Sequence, residues 1–162
     1  MTNGLLMLMA GFVAFTNGAN ANFKGVASLY GSGTTTRRMA ILWGATTTFA
    51  GSIAAWFLAE EMLKNFSGRG IVPDTLARSP EFATAVGFGA AFTSFLATRL
   101  SFPVSTTHAL VGALLGAGLA ESWSNVRWAA LGRNFIAPLV FSPLIAVIMG
   151  AAAYWILKHL RL

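Results

Sequence analysis

The chain has 162 residues, of which 56% are hydrophobic and 10% charged, with a formal charge of +6 and no cysteine. Ordinary soluble domains carry about a quarter charged residues, and a protein this small has too little polar surface to cover so much apolar area. That composition excludes a soluble globular domain, a disulfide framework, a thiolate metal site and a cysteine nucleophile, and it implies an integral membrane protein.

Five stretches carry no formal charge: Met1–Phe23, Met39–Ala59, Phe82–Thr98, Leu100–Ala120 and Asn134–Leu157. A bilayer crossing takes roughly 17–25 mostly apolar residues. About five hydrophobic segments are therefore expected, the third of marginal length and the fourth interrupted by Pro103. Met1–Phe23 lacks a basic leading region and a small-residue cleavage pattern, so it is expected to remain as a span rather than be removed as a signal peptide.

Overlapping the end of that first segment lies TNGANANFKGVASLYGSG, Thr16 to Gly33, with Gly18, Gly25, Gly31 and Gly33 and three asparagines within seven residues. Asparagine offers the backbone competing hydrogen bonds, and glycine costs about 1 kcal/mol relative to alanine in a helix. A broken helix is expected here. Farther on, the hydroxyls of Thr46, Thr47, Thr48, Thr93 and Ser94 read as groups bonded to a nearby carbonyl or to another helix.

The fourth stretch holds FPVSTTHALVGALLGAG, Phe102 to Gly118. Pro103 disrupts a helix, and Ser105, Thr106 and Thr107 stand where an N-cap would, just ahead of the periodic run Ala109–Leu119. Backbone freed inside a bilayer persists only where it is packed in protein or lines a wet cavity. Half-helix N-termini at such breaks aim free N–H groups and a positive dipole end at anions. Hydroxyls and N–H groups together point to anion binding. His108 reads as a satisfied residue orienting the loop, Gly112 and Gly116 as helix packing, and Pro138 and Pro143 as kinks in the last span.

The eleven Lys and Arg are scattered at segment ends, which is the ordinary signature of membrane topology and argues against nucleic acid as a partner. If five segments cross, Lys64, Arg69, Arg78, Arg127 and Arg133 fall on one side and Lys24, Arg37, Arg38, Arg99, Lys158 and Arg161 on the other. Orientation follows imbalance, and here there is almost none. Insertion in both orientations is expected, and a re-entrant hairpin around Pro103 would alter the count.

The two quoted stretches resemble the signature motifs of the inorganic phosphate transporter (PiT) family, which includes sulfate permeases. The run P-x-S-T-T-H-A-x-x-G is complete at Pro103, Ser105, Thr106, Thr107, His108, Ala109 and Gly112. The motif G-A-N-D-x-x-N is partial: Gly18, Ala19 and Asn20 match, Ala21 replaces the aspartate and Lys24 the later asparagine, while a family glutamate falls at Thr48. Full-length members contain two such halves in inverted orientation, so the chain resembles one half.

The resemblance implies an all-α membrane domain over residues 1–162, one half of an inverted-repeat transporter with broken or re-entrant helices. It implies a secondary transporter of a small tetrahedral oxyanion rather than an enzyme, working as an antiparallel homodimer in the inner (plasma) membrane. Asn20, Lys24, Ser105, Thr106 and Thr107 are expected to bind substrate, supported by Gly18, Ala21, Gly25, Thr48, Pro103 and His108. No cofactor or metal site is expected. With Ala21, Lys24 and Thr48 in place of carboxylate and amide oxygens, a proton is the expected coupling ion rather than sodium. Phosphate brings a proton that needs an acceptor, and Ala21 offers none, which tilts the expectation toward sulfate over phosphate. A passive anion channel and a non-transporting half-subunit are the alternatives. An intramembrane hydrolase is a remote reading, because Ser105 and His108 lack a G-x-S-x-G context and a nearby acidic third member.

Overall fold

The computed structural model describes residues 2–60, 67, 68, 70–121 and 123–160, and it is all-helical. The chain divides into two compact units, Met1–Val126 and Arg127–Leu162.

The first unit opens with α1 (Thr2–Ala21), which tightens into a 3-10 turn over Asn22–Val26 and relaxes into α2 (Ala27–Gly31). The Gly- and Asn-rich stretch is thus a change of winding rather than an open break, and Gly4–Gly31 runs on as one apolar helical segment of 28 residues. Side chains that compete for backbone hydrogen bonds favour such short 3-10 pieces without ending the helix.

After a turn containing Gly33, Thr36 caps α3 (Arg37–Leu58), accepting the Met39 N–H at 3.4 Å. Only Ala40 and Gly44 of α3 are buried; Trp43, Phe49, Trp56, Phe57 and Leu58 are exposed. A mostly apolar helix that packs on protein along one narrow strip and leaves the rest of its circumference exposed suits lipid. Its hydroxyls are compatible with that setting, since Thr46, Thr47 and Ser52 each donate to the carbonyl four residues back at 2.9 Å.

Next come α4 (Asp74–Ala77), α5 (Pro80–Arg99) and α6 (Thr106–Glu121). Ser79 caps α5 by accepting the Phe82 N–H at 3.1 Å, with Pro80 at the first helical position. Helix α5 is sandwiched between α1 and α6. Its Gly87 faces Met9 and Val13 of α1, and its Gly89 faces Ala113 of α6. Ile71 and Val72 are buried from the connection preceding α4, and Phe82, Val86, Ala90, Ala91 and Leu114 are among the other buried residues of this core. Val72 packs on Gly118, where a Cβ would stand 2.9 Å from Val72 Cγ1.

Here the packing glycines differ from those expected. Gly112 and Gly116 have no heavy atom within 4 Å of a built Cβ, so that face of α6 is open, and Gly118 makes the close approach.

Among the described residues, three helices are long and apolar enough to cross a membrane, Gly4–Gly31, Arg37–Leu58 and Trp128–Leu160, against an expectation of about five. Helix α6 has 16 residues, about 24 Å of rise against a hydrocarbon core of about 30 Å. Helix α5 has charges at both ends, Glu81 and Arg99, and four hydroxyl residues between them, Thr84, Thr93, Ser94 and Thr98. Residues 100–105 turn α5 back onto α6, so Pro103 lies in the turn of a hairpin and not inside a helix. Ser101 takes a left-handed φ of 61° there. Of the basic residues in the side count, Lys64, Arg69 and Arg161 lie outside the described residues.

The second unit consists of α7 (Trp128–Leu131), a π-helical turn over Gly132–Ile136, and α8 (Ala137–Leu160). The wide turn ends two residues before Pro138, whose ring would meet the carbonyl of Asn134, within that turn, in regular winding. Pro143 is tolerated differently. It cannot donate to the Leu139 carbonyl, and the Ser142 hydroxyl donates there instead at 3.4 Å.

Candidate functional site

Asn20 is the residue from which the site is built. Its Nδ2 donates to Thr98 Oγ1 at 3.0 Å and to the Phe102 carbonyl at 3.2 Å. Its Oδ1 accepts from Lys24 Nζ at 2.8 Å and from the Val104 N–H at 3.2 Å. Both amide donors and the acceptor are therefore engaged. Lys24, four residues along the same segment, closes the arrangement by donating to the Val104 carbonyl at 2.7 Å. The side chains of Asn20 and Lys24 together hold the hairpin turn, with both backbone groups of Val104 in their grip.

This fastening fixes the depth of the turn. Asn20 lies about 24 Å of helical rise from Gly4 and about 18 Å from Gly31, so the turn is attached near the middle of the apolar segment rather than at either end.

Immediately after the turn, Ser105 caps α6: the His108 N–H donates to Ser105 Oγ at 3.3 Å and the Ala109 N–H to the Ser105 carbonyl at 3.0 Å. Thr106 and Thr107 occupy the first helical turn, where backbone N–H groups have no intrahelical acceptor. Among the described residues their hydroxyls make no hydrogen bond. The N-cap expected from sequence is thus present, with a division of labour: the Ser105 hydroxyl is consumed by capping, whereas Thr106 and Thr107 are the ones available to a ligand.

A cleft of about 460 Å³ runs along the hairpin, lined by Gly89, Thr93, Val104, His108, Ala109, Gly112 and Ala113. His108 is exposed, its ring makes no hydrogen bond among the described residues, and it faces this cleft instead of being a satisfied loop residue. Thr93 also lines the cleft, though its hydroxyl donates to the Gly89 carbonyl at 2.7 Å. Thr106 and Thr107 stand at the end of the cleft's chain segment without lining it.

The remaining expected residues sit on the other side of the 3-10 turn. Thr48 Oγ1 donates to Asn22 Oδ1 at 3.0 Å, and Gly44 packs so close to Asn22 that a Cβ would stand 3.3 Å from its carbonyl and amide oxygens. Thr48 therefore braces α3 and does not join Asn20 and Lys24. Gly18 lines a second cleft of about 340 Å³ with Ala19, Asn22, Phe23, Arg37 and Ile41. Ala21 marks the junction between α and 3-10 winding, and Gly25 has open space beside it. The alternating asparagines thus face apart, Asn20 to the hairpin and Asn22 to α3. Thr98, Asn22 and Arg37 were not singled out by sequence. Thr98 and Asn22 act through partners distant in the chain, and Arg37 looks like an ordinary flanking charge.

Comparison with known proteins bears on what this arrangement serves. The profile of the phosphate transporter family matches residues 17–162. The chain belongs to that family. It is 32% identical over 98% of its length to a Streptomyces halstedii protein named as a probable low-affinity inorganic phosphate transporter, covering 75% of that protein. It is 27% identical to the phosphate-repressible phosphate permease of Neurospora crassa, covering 93% of this chain and 26% of the permease. It is 28% identical to a sodium-dependent phosphate transporter of Plasmodium falciparum, covering 93% of this chain and 23% of that protein. No solved structure matches. Family members of this kind are transporters and permeases, not enzymes.

Proposed function

We propose that this chain carries a tetrahedral oxyanion across a membrane, with inorganic phosphate as the first substrate and the first turn of α6 as the binding element. The observation that carries this reading is the fastening of Val104 by Asn20 and Lys24, which holds the start of α6, two residues before Thr106, near the middle of an apolar segment. Free N–H groups, a helix dipole and a cation together favour an anion. The names of the relatives favour phosphate. His108 offers an acceptor for a phosphate proton in place of the aspartate lost at Ala21, so the main argument for sulfate weakens; sulfate is kept as the second substrate on the strength of Ala21.

In this reading the α5–α6 hairpin is re-entrant, entering and leaving on one side, and Arg99 and Lys24 lie within the membrane. Lys64, Arg69, Arg78, Arg127 and Arg133 then share one side, and Arg37, Arg38, Lys158 and Arg161 the other. The near balance persists, and with it the reading of two inverted copies forming one working unit, a homodimer that completes the inverted repeat.

Uptake of labelled phosphate and sulfate by the purified chain in proteoliposomes is the test. Saturable phosphate uptake without ionic current supports the proposal. Unsaturable, current-carrying flux would point to a channel, and no uptake by the chain alone would point to a half-subunit that needs a different partner.

A further inference from the structure

The cleft on the α3 side of the 3-10 turn holds two sets of donors that the chain leaves unused. Arg37 lines it from the start of α3, and among the described residues its guanidinium makes no hydrogen bond or ion pair. Asn22 lines it from the 3-10 turn. Its Oδ1 accepts from Thr48 Oγ1 at 3.0 Å, which fixes the amide and leaves Nδ2 without an acceptor among the described residues. The close approach of Gly44 to the Asn22 oxygens holds the same residue from the other side, 3.3 Å from a built Cβ. The remaining walls come from Gly18, Ala19, Phe23 and Ile41, whose side chains offer no acceptor. Gly18 has open space where a side chain would stand, so that wall leaves room for a ligand.

A concave site of about 340 Å³ with donors from two segments, apolar walls and no acidic side chain is complementary to a group made of acceptors. A guanidinium fork matches two oxygens of a phosphoryl group, and a primary amide donates to a third. We propose that Arg37 and Asn22 form a second anion site, for a phosphoryl group, distinct from the first turn of α6. Asn20 and Asn22 face apart, so the two sites lie on opposite sides of the 3-10 turn. The phosphoryl group belongs to free phosphate or to the headgroup of an anionic lipid, since α3 beside the cleft is exposed along most of its length. The inference goes beyond the transport reading and does not rest on it, because α6 contributes no residue to this cleft.

The test counts labelled inorganic phosphate bound by the purified chain in an uncharged detergent, with Arg37→Gln, Arg37→Lys and the Thr106→Val, Thr107→Val double variant alongside. Arg37 has no partner to lose among the described residues, so Arg37→Gln is expected to keep the parent's thermal midpoint. With free phosphate as the ligand, Arg37→Gln loses one equivalent per chain and Arg37→Lys recovers part of it. The double variant keeps that equivalent even if the α6 turn binds nothing, so the two readings fail separately. With a lipid headgroup as the ligand, the phosphate count is the same in Arg37→Gln and parent. Dispersed short-chain phosphatidic acid then slows phenylglyoxal modification of Arg37 in the parent, relative to its neighbour Arg38, and the matching diacylglycerol does not. The modification measurement needs no variant, so it decides the matter if Arg37→Gln does not fold. Selective protection of Arg37 by phosphate or by phosphatidic acid is expected. Absence of selective protection by either ligand, with an unchanged phosphate count wherever Arg37→Gln folds, overturns the proposal.

Discussion

Asn20 and Val104 are 84 positions apart, yet the Val104 N–H donates to Asn20 Oδ1 at 3.2 Å while the neighbouring Phe102 carbonyl accepts from Asn20 Nδ2 at 3.2 Å. One amide thereby satisfies an N–H and a C=O of a hairpin turn that has no regular structure to satisfy them.

Asn20→Ala is expected to destabilise the fold by roughly 1–3 kcal/mol, since it leaves the Val104 N–H, and with it Lys24 and Thr98, short of partners. Thr98→Val removes one acceptor and should cost less, about 0.5–1.5 kcal/mol. Denaturation of the two variants in detergent checks the order. Equal effects would mean that Thr98, and not the turn, is what Asn20 serves.

Gly118 and Val72 give a prediction about packing alone. Gly118→Ala places a methyl 2.9 Å from Val72 Cγ1, a branch on a stiff side chain. The expected loss is about 1–3 kcal/mol. Adding Val72→Ala should recover part of it, so the double-mutant cycle should show favourable coupling between the substitutions.

Much of this was legible in the residues. The Ser-Thr-Thr run after Pro103 marks a helix start, because a residue without an N–H followed by hydroxyls has a local physical meaning. The Gly- and Asn-rich stretch likewise marks a change of winding, though its form, a 3-10 turn inside a continuous helix, depends on partners that a local pattern does not contain. The destination of Lys24 could not be read at all: an ammonium four residues from an asparagine fits a snorkelling chain and a clamp equally well until Val104 is placed beside it. Gly112 and Gly116 misled for the opposite reason. Their spacing suits close packing, but the helix turns a different glycine, Gly118, toward its neighbour.

Sodium should be dispensable for uptake, because the cation seated beside the turn is Lys24. Replacing sodium by choline in proteoliposome assays is expected to leave the initial rate unchanged. Strict sodium dependence would place a bound ion elsewhere in the transporter.

The near balance of basic residues predicts two orientations. A tag placed at the C-terminus of the chain should be reachable from both faces of intact membranes in comparable amounts. Access from one face only would rule out an antiparallel homodimer and favour a parallel assembly or a heteromeric pair.

The central claim is that the first turn of α6 holds the oxyanion, and it can be tested without disturbing the cap. Ser105→Ala is the wrong variant for this purpose, since loss of the hydroxyl that accepts the His108 N–H costs about 0.5–2 kcal/mol by itself. Thr106→Val combined with Thr107→Val removes only hydroxyls that are unused within the described residues. The direct measurement is thermal stabilisation of parent and double variant by phosphate, with sulfate and chloride alongside. The parent should be stabilised by phosphate and not by chloride, and the double variant should keep the parent's unliganded midpoint while losing most of the phosphate shift. An undiminished shift in the double variant would contradict the account.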